Sequence, residues 1–281
     1  GVQRYAWAWT GDVESTWEGL RTTLRALLGL SLSGVYFVGS DIGGFSGNPS
    51  PELYLRWFQM AALTPFFRLH AARWTKRREP WRFGEEVLEG VRRAMALRES
   101  LLPYLYTLAH RASREGKPLL RPLFLGEALL VAPVLEEGAR AKEVPLPKGG
   151  WYPWGEDRAL QGPTWARLPA PLDRIPLLVR AGTVLPLLEE GGLALHLYPG
   201  AEGAEGRLYW DEGEGEGPYR LGRSRRPPAE GGFRPLWQGK GELPWPWARV
   251  RLRLFGKRLL RAHVEGEAHA AEEGGVLLPP F

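Results

Sequence analysis

The sequence predicts the last part of a (β/α)8 barrel followed by all-β sandwich domains. Three short apolar strand candidates come first, and polar residues and then a helical segment or turn follow each of them. In such barrels the working groups lie at the C-terminal ends of the strands. Beyond Gly116 short strands alternate with Gly, Pro and Glu turns and no convincing helix, which is typical of β-sandwiches.

The first two units lie within the first 63 residues. Residues 3–9 form an aromatic-rich strand candidate, and the apolar spacing over residues 14–32 is helical. A second buried strand is predicted at 35–38, and a glycine-rich turn follows it. Residues 51–63 are predicted as a helix with proline in its first turn, where the missing N–H costs nothing.

The third unit comprises a strand candidate at 64–70 and a long helical region at 85–115, interrupted near Pro103. Three strand–helix units cannot close an eight-stranded barrel. The remaining part would belong to a segment upstream of the motifs present here.

The C-terminal part is predicted as strands at 129–134, 177–180 and 193–198. An acidic loop follows at 213–217, and 223–241 is predicted as a poorly ordered link. We expect three domains, which are the barrel part (1–118), a proximal sandwich (119–190), and a distal sandwich with the tail (191–281).

Composition excludes several classes of function. Cysteine is absent and the five histidines show no HExxH spacing, so we expect no metal and no other cofactor. The net charge is +5, but the basic runs at 73–78 and 223–226 lack a nucleic-acid-reading pattern and are interpreted as solvated loops. No apolar run is long enough to span a membrane, and we expect a cytoplasmic protein with no nucleic-acid or membrane partner.

Tryptophan is abundant, with 13 residues. A flat apolar ring stacks well on the CH face of a pyranose, although large aromatics also fill β-rich cores. Both interpretations stay open for any single tryptophan.

Polar groups at the three strand ends indicate a glycosidase half-site. The candidates are Asp12, then Asp41 with Phe45, then His70. Glycoside hydrolysis uses two carboxyl groups that flank the scissile bond, and nearby aromatics exclude water. The alternatives are that Asp12 caps the following helix and that His70 is a satisfied core or surface histidine.

Several motifs together resemble glycoside hydrolase family 31. In chain order they are QRYAWAWTGD, SGVYFVGSDIGGFSGNPSPELYLRWFQ, TPFFRLH, EPWRFG and LLPYLYTLAHRA. RPLF, LLVAPVL, PLPKGGWYPW and APLDRIPLLVRAGTVLP resemble the sandwich that follows the barrel in this family, and LHLYPG with GRLYWDEGEG resembles the distal one.

The resemblance implies a retaining α-glucosidase that acts on terminal α-glucosyl residues of oligosaccharides. It makes Asp12 the general acid/base and places Trp9 at the −1 subsite. Phe45 would stack near the same sugar, Asp41 would hold the polar network of the pocket, and His70 would hydrogen-bond sugar hydroxyls. The substrate partner would be an oligosaccharide or another α-glucoside.

The sequence also departs from the family. The nucleophile is an Asp in a WxDMNE-like motif, and no such motif occurs in these 281 residues. We therefore expect the isolated chain to be inactive and its partner to be an N-terminal half that carries the nucleophile. The alternatives are an inactive remnant or a non-catalytic carbohydrate-binding fragment, and an α-xylosidase or another sugar specificity within the family.

Overall fold

A computed structural model describes residues 5–190, 192–213, 218–226, 238–241, 243, 244, 246, 247, 250–256, 261–264, 267–270 and 276–278. The chain divides into two compact units. The first contains residues 1–98, 111–145 and 165–177, and the second contains residues 99–110, 146–164 and 178–281. Within the described ranges, no helix is long and apolar enough to cross a membrane.

The first unit contains a three-stranded parallel sheet in the order β1-β2-β3. Its strands are β1 (Ala8–Trp9), β2 (Val38–Asp41) and β3 (Phe66–Arg68). Strand β2 begins at the end of the predicted segment 35–38 and continues through polar residues. Gly39 allows the close approach of β2 to β3, because a Cβ at position 39 would lie only 2.1 Å from the carbonyl oxygen of Phe66.

In the described part of the first 115 residues there are four α-helices and one 3₁₀ helix. They are α1 (Trp17–Leu32), α2 (Pro51–Ala61), the 3₁₀ helix (Pro80–Phe83), α3 (Glu85–Ser100) and α4 (Leu102–Glu115). The predicted break near Pro103 is confirmed and lies at Leu101, because the proline fits in the first turn of α4. Helix α1 begins three residues later than predicted, since the side chain of Thr16 accepts the Gly19 N–H at 2.9 Å.

Helix α2 supplies much of the core of the first unit. The stacked rings of Tyr54 and Phe83 lie 4.0 Å apart, and Phe58 meets Phe67 edge-on at 5.1 Å. The buried cluster consists of Ile42, Tyr54, Leu55, Phe58, Ala61, Ala62, Phe83, Val87, Val91 and Ala94. It packs the residues that follow β2 against α2 and α3, and so fixes the position of the loop after β2.

The residues beyond α4 form β-structure, with no helix in the part that the structure describes. One sheet has the order β4-β5-β6-β9-β7-β8. Its strands are β4 (Leu120–Arg121), β5 (Phe124–Leu125), β6 (Leu129–Val131), β7 (Ala141–Pro153), β8 (Leu160–Pro169) and β9 (Leu177–Arg180). The strands predicted at 129–134 and 177–180 correspond to β6 and β9.

A seven-stranded sheet has the order β14-β13-β12-β10-β11-β15-β18, and β16 pairs with β17 separately. The strands are β10 (Thr183–Glu189), β11 (Gly192–Tyr198), β12 (Ala204–Asp211), β13 (Tyr219–Arg226), β14 (Gln238–Lys240), β15 (Val250–Leu254), β16 (Arg261–Val264), β17 (Glu267–Ala270) and β18 (Val276–Leu278). Its core in the second unit consists of Val184, Leu193, Leu195, Leu197, Ala204, Leu208, Trp247, Val250 and Leu252.

The segment predicted as a link, 223–241, contains the end of β13 and all of β14, which pair antiparallel. These parts are therefore ordered strands, because backbone pairing compensates for their polar composition. Residues 227–237 and the acidic residues 214–217 lie outside the described residues. The division into 1–118, 119–190 and 191–281 stays a prediction, and its last boundary lies in the turn of the β10–β11 hairpin.

Candidate active site

The sequence-predicted site residues all lie at or shortly after the C-terminal ends of three adjacent parallel strands. Trp9 ends β1 and Asp12 lies three residues further on, whereas Asp41 ends β2. Phe45 lies in the loop after β2, and His70 comes two residues after β3. Parallel strands present these ends at one edge of the sheet, so the three following loops are neighbours.

Asp41 and Arg68 form an ion pair at this edge, in which the carboxylate is buried and the guanidinium is partly exposed. Arg68 Nε donates to Asp41 Oδ1 at 2.7 Å, and the two residues are paired in the β2–β3 register. Asp41 is only 2% exposed, and its second oxygen, Oδ2, has no hydrogen-bond partner in the described part of the chain. A buried acceptor without a partner is costly, so this oxygen is an available hydrogen-bond acceptor.

Arg68 also connects this carboxylate to an aromatic ring of β1 and to one of β3. Its guanidinium lies 5.7 Å from the ring centre of Trp9 and 5.4 Å from that of Phe66. The Trp9 side chain is half exposed, so its ring has a contact with the arginine and still faces solvent.

Phe45 and His70 form the second cluster. Their ring centres lie 5.6 Å apart, and the exposed imidazole is beside a cleft of about 450 Å³. Residues 69–73 and 75–79 line this cleft, which has the size of a small-molecule site. Because the side chain of His70 is exposed, His70 is not a core histidine, and of that alternative only the surface histidine stays open.

Asp12 is exposed and lies in the loop between β1 and α1. Its carboxylate makes no hydrogen bond or ion pair with any residue that the structure describes. The N-cap of α1 is Thr16, four residues later, so the alternative that Asp12 caps this helix is wrong. The next residue, Val13, accepts the Phe45 N–H at 2.7 Å, which places the Asp12 backbone beside the Phe45 loop.

Arg78 connects the loop after β1 with the loop after β2. It is 5% exposed, and its Nη2 donates to Ser15 Oγ at 3.1 Å and to the carbonyls of Gly44 and Gly47 at 3.0 and 2.9 Å. Tyr54 donates to the Arg78 carbonyl at 2.6 Å, which fixes the arginine backbone to helix α2. Burial lowers the pKa of Arg78, yet the group keeps its charge because the ordinary value is so high.

Sequence reasoning missed Arg68 and Arg78. Arg68 is the last residue of its strand, as Asp41 is of β2, and this shared position was the available signal. Arg78 lies in a run that was interpreted as a solvated loop. No local pattern distinguishes its buried side chain from those of its exposed neighbours Arg77 and Arg73.

In the part of the chain that the structure describes, there is no group of three or more His, Cys, Asp or Glu residues that could hold a metal ion. The groups at the strand ends are instead the carboxylate of Asp12, a buried carboxylate paired with the partly exposed Arg68, aromatic rings and an imidazole. This set can donate and accept protons and can hydrogen-bond hydroxyl groups.

Two family models match the chain in sequence order. The Glycosyl hydrolases family 31 TIM-barrel domain matches residues 1–108, and the Glycosyl hydrolase family 31 C-terminal domain matches residues 107–185. The chain belongs to glycoside hydrolase family 31. The predicted partial barrel and the following β-sandwich are therefore confirmed as the fold of a family 31 fragment.

Named relatives of this family 31 chain are glucosidases. Neutral alpha-glucosidase C of Homo sapiens is 39% identical over 243 residues, which covers 76% of this chain and 27% of the relative. A probable glucan 1,3-alpha-glucosidase of Arabidopsis thaliana is 40% identical over 244 residues and covers 76% and 26%. The solved glucosidase II alpha subunit (Glc1Man2-bound) has a TM-score of 0.82 at 26% identity, with 99% of this chain and 36% of that chain covered.

The chain thus spans about a quarter of the length of the curated relatives that it matches. Family 31 membership describes the matched domains.

Proposed function

We propose that this chain supplies the acid/base half of a retaining α-glucosidase that hydrolyses terminal α-glucosyl residues of oligosaccharides. The observation that carries the proposal is the exposed, uncommitted carboxylate of Asp12 in a loop bonded through its backbone to the Phe45 loop. The glucosidase names of the relatives and the glycan bound to the glucosidase II subunit support the same substrate class.

In the proposed mechanism, Asp12 first acts as an acid. It donates its proton to the glycosidic oxygen as the C1–O bond breaks, while a carboxylate from outside these 281 residues bonds to C1. Asp12, now ionised, then removes a proton from a water molecule that attacks C1 and releases the enzyme carboxylate. His70, Trp9 and Phe45 would hold the sugar, and Asp41 Oδ2 would accept a hydrogen bond from one of the sugar hydroxyl groups.

The partner in this proposal is the N-terminal half with the nucleophile, and a cytoplasmic location stays a prediction.

The isolated chain should show no hydrolysis of maltose or of an aryl α-glucoside above background. Loss of the nucleophile in covalent catalysis costs several orders of magnitude. Release of glucose measured with enzyme-free and Asp12→Asn controls tests this. Robust turnover that Asp12→Asn abolishes would instead make Asp41 the nucleophile candidate.

In the complete enzyme, Asp12→Ala should slow maltose hydrolysis far more than hydrolysis of an activated aryl α-glucoside. General acid catalysis contributes about 10²–10⁴-fold, and only the poor leaving group needs it fully. Measured kcat/KM for both substrates, with and without azide, checks the role. Azide should rescue turnover of the aryl substrate and yield the α-glycosyl azide. Equal losses on both substrates without rescue would remove Asp12 from the chemistry.

A further inference from the structure

The cleft beside His70 is lined by an excess of positively charged side chains. Its volume is about 450 Å³, which suits a small molecule. The ionisable residues that line it are His70, Arg73, Lys76, Arg77, Arg78 and Glu79. Four of these six are arginine or lysine, which stay charged at neutral pH, and one is a carboxylate. The partners of each charge decide how much of this excess is compensated.

The carboxylate of the cleft is already paired. Glu79 lies 3.0 Å from Arg82 Nε and 3.9 Å from Arg77 Nη1. Arg73 and Lys76 make no ion pair with any carboxylate in the part of the chain that the structure describes. Their two positive charges are therefore not neutralised by the cleft itself.

Arg78 adds a buried charge without an opposite charge. Its side chain is 5% exposed, and its guanidinium donates to the Ser15 hydroxyl and to backbone carbonyls. Among the described residues no carboxylate accepts from it, and its Nε has no hydrogen-bond partner. A buried charge is costly unless it is paired. An anion in the cleft that Arg78 lines would supply the missing negative charge.

The backbone that carries the exposed cations is held by hydrogen bonds. The carbonyl of Ala72 accepts the Thr75 N–H at 3.0 Å and the Thr75 hydroxyl at 2.8 Å, which closes a turn that contains Arg73. The Lys76 N–H donates to Asn48 Oδ1 at 2.6 Å. Binding of a ligand by these residues therefore requires little further ordering of the backbone.

We propose that this cleft binds a small anion of the phosphate class, with Arg73 and Lys76 as direct ligands and Arg78 as a further, buried charge. A phosphate group carries roughly 1.5 to 2 negative charges and three strong acceptor oxygens, which match a guanidinium and an ammonium. The Lys76 Nζ lies 4.4 Å from the ring centre of Phe83, a contact that does not neutralise its charge.

The anion has two sources, free phosphate or the phosphate group of a sugar bound at His70. The second source rests on the proposed function and narrows its substrate class to phosphorylated α-glucosides. The first source is independent of that function. Both use the same cationic groups, so one set of variants tests the site and a second comparison identifies the source.

The test of the site is an NMR titration of this chain with inorganic phosphate at constant ionic strength, because salt screens exposed charges. The double variant Arg73→Gln/Lys76→Gln should raise the Kd for phosphate about five- to twentyfold. Both side chains are exposed, so the variant should fold as the wild type does.

The matched control is Arg25→Gln/Lys148→Gln, which removes the same charge from two exposed side chains outside the cleft. It should leave the Kd for phosphate unchanged. No measurable binding of phosphate, or equal losses of affinity in the two double variants, would overturn the site.

Glucose 6-phosphate identifies the source of the phosphate. If the phosphate belongs to a sugar at His70, this ligand should bind more tightly than inorganic phosphate, and His70→Ala should remove the difference. Equal Kd values for the two ligands would support the site as one for free phosphate.

Methyl α-glucoside, which is uncharged, separates this inference from the proposed function. If His70→Ala does not weaken its binding, or if it does not bind, the sugar assignment of His70 fails. Loss of phosphate affinity in Arg73→Gln/Lys76→Gln alone would support the anion site in that case too.

Discussion

Glu189 and His196 form a partly buried pair on the hairpin strands β10 and β11. Glu189 Oε1 lies 2.8 Å from His196 Nε2, and the imidazole is almost fully buried. The close contact with the His196 imidazole lowers the pKa of Glu189 below its ordinary value of 4.5. Burial acts in the opposite direction, and His196, Arg251 and Arg253 add favourable charge interactions. The ionised glutamate therefore contributes to stability.

The contribution of this pair depends on pH. Because the pKa of Glu189 is lower in the folded than in the unfolded chain, the stabilisation is present above the unfolded value and is lost as the pH falls through the folded value. We expect Glu189→Gln to flatten the decline in the free energy of unfolding below about pH 4.5. Urea denaturation of the variant and the wild type at a series of pH values measures this decline.

Glu190→Gln is the matched control for this prediction. Glu190 is the adjacent residue, and its exposed side chain pairs with Arg251 at 3.0 Å. An exposed pair contributes little, so this variant should keep the wild-type pH profile. If both variants have the same profile as the wild type, the Glu189–His196 pair makes no pH-dependent contribution.

At the scale of elements, the loops after β1 and β2 approach each other too closely for a side chain at Gly44. Its φ is +84°, and an added Cβ would lie 2.7 Å from Ser15 Oγ and 2.8 Å from Ser15 Cα. The Ser15 N–H donates to the Ser46 carbonyl at 2.8 Å, and Arg78 bonds both loops. The glycine thus allows the contact that brings the Asp12 and Phe45 loops together.

Gly44→Ala should therefore destabilise the chain more than Gly34→Ala does. Both residues have positive φ, but a Cβ at Gly34 would meet nothing within 4 Å. Both substitutions strain the backbone, because alanine disfavours a positive φ. Only Gly44→Ala also overpacks the contact with Ser15, which lowers the free energy of unfolding by about 1–3 kcal/mol more. Urea denaturation of the two variants gives the difference. Equal losses would mean that the loops separate at no cost.

At the scale of the molecule, Arg56 joins segments of the first unit that are distant in the sequence. This residue of helix α2 is 2% exposed and donates to the carbonyls of Ala170 at 2.7 Å, Pro171 at 2.9 Å and Arg174 at 3.2 Å. It also donates to the carbonyl of Ala139 at 3.2 Å. One guanidinium thus satisfies carbonyls of two segments that lie more than eighty residues away in the sequence.

Arg56→Met should lower the free energy of unfolding by about 3–5 kcal/mol, because the methionine leaves these carbonyls without a donor. Arg92→Met is the control, since Arg92 lies on α3 and pairs with the exposed carboxylates of Glu85 and Glu89. That change should stay within about 0.5 kcal/mol. Similar losses in the two variants, measured by urea denaturation, would show that the Arg56 bonds add no net stability.

The sequence by itself determined the alternation of strands and helices and the strand-end positions of Asp12, Asp41, Phe45 and His70. It could do so because apolar periodicity and turn residues act within a few neighbours in the chain. The residues at which the strands end were predicted less accurately. Strand β2 extends through polar residues to Asp41, since pairing with β3 and the bond from Arg68 compensate for their polarity.

Only the tertiary structure decided which groups meet. Asp41 pairs with Arg68 because the β2–β3 register places them opposite each other, 27 positions apart in the sequence. Arg78 is buried and bonds two loops, while its neighbour Arg77 remains in solvent. Thr16 rather than Asp12 caps α1, which leaves the Asp12 carboxylate free. The physical reason is the same in each case: a hydrogen-bond partner is chosen by proximity in the folded chain, and spacing in the sequence carries no record of that proximity.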